Sequence, residues 1–146
     1  YGPELSRGFP GLRVWMAVKM FGAAKYRAAI AEKRALAVWA AEQVARIPGI
    51  VMDAQPQLSL FAFHLEGPGL ESLEAQNAAA KDLMERVTRR GKVMITGAMV
   101  EGRYLGRVCI LSFRSRREIV ETCVQHLAEE SAAILAEYAN GTKRRG

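Results

Sequence analysis

Apolar residues recur along the chain with two periods, and each change of period marks a new element. Over 9–21, Leu12, Trp15, Met16 and Met20 fall at the i, i+3, i+4, i+8 spacing of a helix face. Pro10 suits a first helical turn, where a missing N–H leaves nothing unpaired, and Gly22 supplies a stop. Over 24–47, Tyr26, Ile30, Ala37 and Val44 lie along a second helical stripe, which Pro48 and Gly49 end. The many alanines of that stretch predict close packing against a neighbour. The period then shortens to two. Residues 50–52 and 58–65 read as strands separated by a polar turn over 53–57. In the second, Leu58, Leu60, Ala62 and His64 take one face, and Ser59, Phe61, Phe63 and Leu65 the other.

Gly67, Pro68 and Gly69 break the chain before a helix over 70–90, which Gly91 ends. Residues 93–100 and 103–112 flank the two-residue turn Glu101 and Gly102, the signature of a hairpin. Ser115 with Glu118 predicts a capping box for a last helix, whose stripe contains Ile119, Val120, Cys123, Val124, Leu127, Ile134, Leu135 and Tyr138 and which runs to Asn140 and Gly141. The expected fold class is α+β: a small, mainly antiparallel sheet covered by helices. The expected division is 1–47, two connecting helices, and 48–146, the sheet with its helices.

With 146 residues, 50% of them hydrophobic and 25% charged, the chain has the make-up of one globular domain, which excludes disorder as a description. The net charge of +6 raises nucleic-acid binding, but the basic residues are spread along helices near Glu. The exceptions are Arg114, Arg116, Arg117 and the tail Lys143, Arg144 and Arg145, and a solvated surface with a frayed end accounts for these. No run approaches the roughly 18 apolar residues of a membrane helix, and no signal-peptide layout opens the chain. Two cysteines without metal-ligand spacing point to a reducing, cytoplasmic setting, with Cys109 and Cys123 as small core residues.

The most telling polar residue is Arg107. Alternation puts it on the face of Leu105, Cys109 and Leu111, where burial of a guanidinium requires an anion, either an internal carboxylate or a ligand. His64 reads as a satisfied core or rim histidine and His126 as an exposed one. Gly91, Gly97, Gly102 and Gly106 follow helix-end and hairpin logic and make no phosphate loop. No metal site and no self-contained catalytic set emerges.

The opening phrase, Leu5, Ser6, Arg7, Gly8 and Phe9 with Leu12, Val14, Trp15, Met16, Lys19 and Gly22, resembles the segment after the mobile active-site loop in group II pyridoxal-phosphate-dependent amino-acid decarboxylases. The later segments agree in order, through the 58–63 strand, Gly91 to Val93 and the stretch Gly102 to Ile110. The resemblance implies the C-terminal portion of a fold type I enzyme, a connecting segment over 1–47 plus the small domain over 48–146. It implies pyridoxal 5'-phosphate held mainly by a separate large domain, no catalytic residue in this chain, cofactor contacts left open, a homodimer, and an aromatic or related L-amino acid as substrate. Arg107 matches the family arginine that reaches the substrate α-carboxylate. Ser6, with Leu5, matches the pocket mouth near the dimer interface, although a helix N-cap is an equal reading of Ser6. The chain departs from the family at Pro10 and Gly11 and at Gly106, which stands where an aliphatic residue is usual. Two other readings remain: a stand-alone basic α+β module for nucleic acid or a protein partner, and part of a pyridoxal-phosphate aminotransferase.

Overall fold

The computed structural model describes residues 8–141. Its elements follow in the expected order: α1 (Pro10–Phe21), α2 (Ala23–Val44), β1 (Ile50–Ala54), β2 (Leu60–Leu65), α3 (Leu73–Arg89), β3 (Thr96–Val100), β4 (Arg103–Cys109) and α4 (Arg117–Ala139). By contact the chain groups into two units, Tyr1–Glu32 and Lys33–Gly146, so the second half of α2 belongs with the sheet.

In the first unit, Pro10 opens α1 as expected and Gly22, at φ +77°, ends it; its backbone N–H donates to the Val18 carbonyl. The cap position of α1 falls on Phe9, and no side chain among the described residues caps it. None of the α1 side chains is buried, and Tyr26 and Ile30 at the start of α2 are also exposed.

In the second unit the four strands form one antiparallel sheet in the order β1, β2, β4, β3. Glu101 and Gly102 both take positive φ, +47° and +81°, giving the tight turn whose twist matches that of paired strands. This turn fixes the β3–β4 register, which pairs Thr96 with Arg107 and Gly97 with Gly106. Asn77 of α3 secures the turn end, accepting from the Tyr104 amide at 2.6 Å and donating to the Gly102 carbonyl at 2.9 Å.

Phe61, Phe63 and Leu65 of β2 and Val108 of β4 point into the core against Leu83 and Val87 of α3, Leu127 and Ile134 of α4, and Ala37, Ala40, Ala41 and Val44 of α2. Burying each of the larger side chains contributes about 1.5–3 kcal/mol. The alanines let α2 approach closely, as its composition predicts. Gly106 has a packing reason: a Cβ there would lie 2.8 Å from Met84 Cε and 2.9 Å from Phe63 Cζ.

Two expectations need correction. Ser115 does not cap α4: the cap is Arg116, without a side-chain bond, while the Ser115 carbonyl accepts from the buried Lys33 ammonium at 2.8 Å. The strands around the hairpin are shorter than their apolar runs, because 93–95 and 110–112 leave the β3–β4 ladder. Ile110 still donates to the Ser59 carbonyl at 2.8 Å.

Candidate functional site

Alternation along β2 and β4 sends Phe63, Gly106 and Val108 to the helices, and Leu60, Leu105, Arg107 and Cys109 to the opposite, open face of the sheet. Ala54, Ala62, Arg107 and Thr96 form one row across all four strands of this face.

Arg107 is half buried. Its Nη2 donates to Thr96 Oγ1 at 3.2 Å, and its Nε is buried without a partner. Among the described residues no carboxylate pairs with it, so the internal salt bridge that would explain its burial is not made. A buried N–H donor left unmade is destabilising by about 1–3 kcal/mol. The arrangement is that of a cation held ready for an anion from outside the described chain.

The acidic groups toward the β1 end of this face are already engaged. His64, 5% exposed, lies with Nδ1 2.7 Å from Asp53 Oδ2 and Nε2 2.9 Å from Glu66 Oε1. Arg103 stands 3.9 Å from the same Glu66 oxygen. The hydrogen bond from His64 holds the Glu66 carboxyl below its ordinary value, assisted by the charges of His64 and Arg103 and opposed by desolvation. Because the two carboxylates meet opposite ring nitrogens, they do not converge on a point that a metal ion could occupy. Among the described residues no group of three such ligands does so elsewhere. His64 is thus a satisfied histidine, as its sequence setting implies.

The other candidates divide. Cys123 is buried, and burial pushes its thiol up to about 11, which removes it as a nucleophile at neutral pH. Cys109 is exposed on the open face, not in the core, because its side chain follows Arg107 and not Val108 in the alternation. His126 is half buried with an unpartnered Nδ1, where the sequence implied exposure. Leu5 and Ser6 lie outside the described residues. Thr96 escaped the sequence reading, yet a signal for it existed: a two-residue turn at 101 and 102 makes 96 and 107 cross-strand partners by counting alone.

No protein-family model matches the chain. It is 31% identical over 121 residues to an aromatic-L-amino-acid decarboxylase of Bacillus atrophaeus, an alignment covering 80% of this chain and 24% of that protein. It is 22% identical over 132 residues to the histidine decarboxylase of Mus musculus, covering 90% of this chain and 18% of that protein. These similarities indicate the group II pyridoxal-phosphate-dependent decarboxylase family. The crystal structure of Oryza sativa TDC with PLP and tryptamine superimposes with a TM-score of 0.81 at 22% identity, over 90% of this chain and 28% of that one. The fold is therefore that of the C-terminal small domain of these fold type I decarboxylases. The chain spans about a quarter or less of the length of the curated relatives it matches. Among the described residues, the candidate site is the open sheet face with Arg107 at its centre.

Proposed function

We propose that the chain is the C-terminal portion of a pyridoxal-phosphate-dependent decarboxylase that removes the α-carboxylate of an aromatic or related L-amino acid as CO2, leaving the amine. The observation that carries this reading is Arg107, a half-buried guanidinium with a neutral partner, an orphaned Nε and no carboxylate of its own among the described residues. Arg107 binds the substrate carboxylate and fixes its direction, so that the group to be lost is oriented before the reaction begins. The remaining atoms balance simply: the carboxylate leaves as CO2 and one proton takes its place on Cα.

Pyridoxal phosphate supplies the electron sink that such a reaction requires. The described residues do not themselves fit it. Lys33 is buried against the Ser115 carbonyl, and Lys81 lies 5.5 Å over the Tyr104 ring beside an open groove. In this reading the cofactor and the catalytic groups belong to the large domain, residues 1–47 connect to it, and residues 48–146 form the small domain. The exposed apolar α1 supports a large-domain partner and assembly as a homodimer. Leu5 and Ser6 would line the pocket mouth. Two free thiols accord with a cytoplasmic setting, and among the described residues no helix is long and apolar enough to cross a membrane.

The basic-module alternative loses support from its own charges. Arg86 pairs with Asp82 and Glu137, Arg90 with Glu129 and Glu130, and Arg117 with Glu121. The decisive experiment is Arg107→Met in the complete enzyme. KM for the L-amino acid should rise about 10- to 100-fold, the effect of losing a charge-assisted pair, while affinity for the amine product stays within about twofold. Equal losses for amino acid and amine would refute a carboxylate role.

A further inference from the structure

Arg107 combines two properties that ordinarily conflict. Its long side chain is held in one direction, yet its charge is not cancelled by the group that holds it. A carboxylate in the Thr96 position would give a stronger bond, but it would occupy the guanidinium and neutralise it. A hydroxyl acceptor fixes the orientation and leaves the positive charge for another anion.

From this geometry we infer that Thr96 is the positioning residue that aims Arg107 at the substrate carboxylate, an inference that rests on the carboxylate reading of Arg107 above. Three observations converge on it. Thr96 is the direct cross-strand partner of Arg107, and the Glu101–Gly102 turn fixes that pairing to the residue. Its Oγ1 accepts from Nη2 at 3.2 Å, the one hydrogen bond of the Arg107 side chain among the described residues. Thr96 is also exposed on the edge strand β3, so the pair stands at the rim of the open face and not inside the core.

The neighbouring charges support the same division of labour. Asp53 and Glu66 are both engaged by His64, with Arg103 standing against Glu66, and neither pairs with Arg107. Thr96 can therefore steer Arg107 without rivalry from an internal anion. The β-branched side chain adds a restricted χ1, which keeps Oγ1 in place on a strand edge.

The test uses the complete decarboxylase and two unreactive probes, 3-phenylpropanoate and its carboxamide, so that binding is read apart from turnover. Thr96→Val keeps the shape and removes the acceptor, whereas Thr96→Ser keeps the acceptor. Thr96→Val should weaken 3-phenylpropanoate about 3- to 10-fold and raise KM similarly, with kcat changed less than about twofold and the carboxamide unaffected. Thr96→Ser should restore most of the loss, and a structural role alone would not separate the two probes. Wild-type binding of the carboxylate by Thr96→Val, with Arg107→Met still impaired, overturns the role of Thr96 alone. If Arg107→Met also binds both probes as the wild type does, the carboxylate reading fails and the role of Thr96 falls with it.

Discussion

At the scale of single residues, Glu101 carries the clearest local strain. Its φ of +47° lies in the left-handed region, which Gly and Asn tolerate and most side chains avoid. It holds that conformation because the turn must twist in the sense of the β3–β4 pair, and Gly102 at φ +81° absorbs only half of the requirement. Glu101→Asn should therefore raise the stability of the second unit by about 0.5–1 kcal/mol without altering the register. Chemical denaturation would show it as a higher midpoint at unchanged slope. An unchanged or lower midpoint would mean that the turn is not strained at this residue. Legibility at this scale was uneven. Glu101 and Gly102 announced the hairpin, because few dipeptides suit such a turn. The partner of Arg107 was open, since alternation gives a side chain its face but not the acceptor it meets there. Cys109 was misplaced for a related reason: apolar neighbours in sequence lie on alternate faces of a strand, and only one face of this sheet is covered.

At the scale of elements, α3 and α4 are joined by two arginine clamps. Arg86 meets both Glu137 oxygens at 2.7 Å, and Arg90 bridges Glu129 and Glu130. Arg90 holds the Glu129 carboxyl below its ordinary value of 4.5, with a second hydrogen bond from Gln125, and His64 does the same to Glu66. A carboxyl with a lowered folded value stabilises the fold fully above its unfolded value and loses that contribution as pH falls through the folded one. Stability of the second unit should thus decline on acidification from about pH 5 toward pH 3. Glu129→Gln should lower the thermal midpoint at pH 7 and show a shallower acid decline, so that the two curves approach each other at low pH. Parallel curves would exclude a pH-linked contribution from the clamp. The order of all eight elements was legible, because each apolar stripe is long enough to declare its period. The clamps were not, since they join residues 39 to 51 positions apart. The Ser115 cap failed because a local pattern met a competing demand: the backbone there serves Lys33, and the helix begins one residue later.

At the scale of the whole molecule, the two units differ in how far they satisfy themselves. The second has a closed core on one side of its sheet. The first offers α1, in which Phe9 at its cap, Trp15 and Met20 are 72%, 59% and 70% exposed and in which Arg13 and Lys19 are the only charged residues. A helix apolar on nearly every side is stable only when something covers it. Leu12, Val14, Met16, Val18 and Phe21 are exposed as well, which makes this a continuous surface and not a few scattered contacts. In the proposed enzyme the cover is the large domain together with the second protomer. The chain alone should consequently self-associate at micromolar concentration, and sedimentation should give a mass that rises with concentration above 16.1 kDa. Replacing Leu12, Trp15 and Met16 together by Gln should return the chain to a monomer while leaving the melting of the second unit unchanged, because none of the three contributes to its core. In the complete enzyme the same triple replacement should lower yield or assembly. A wild-type chain that remains monomeric at high concentration, with Trp15 emitting as a fully hydrated indole, would show that α1 needs no partner and would remove the structural argument for the assembly.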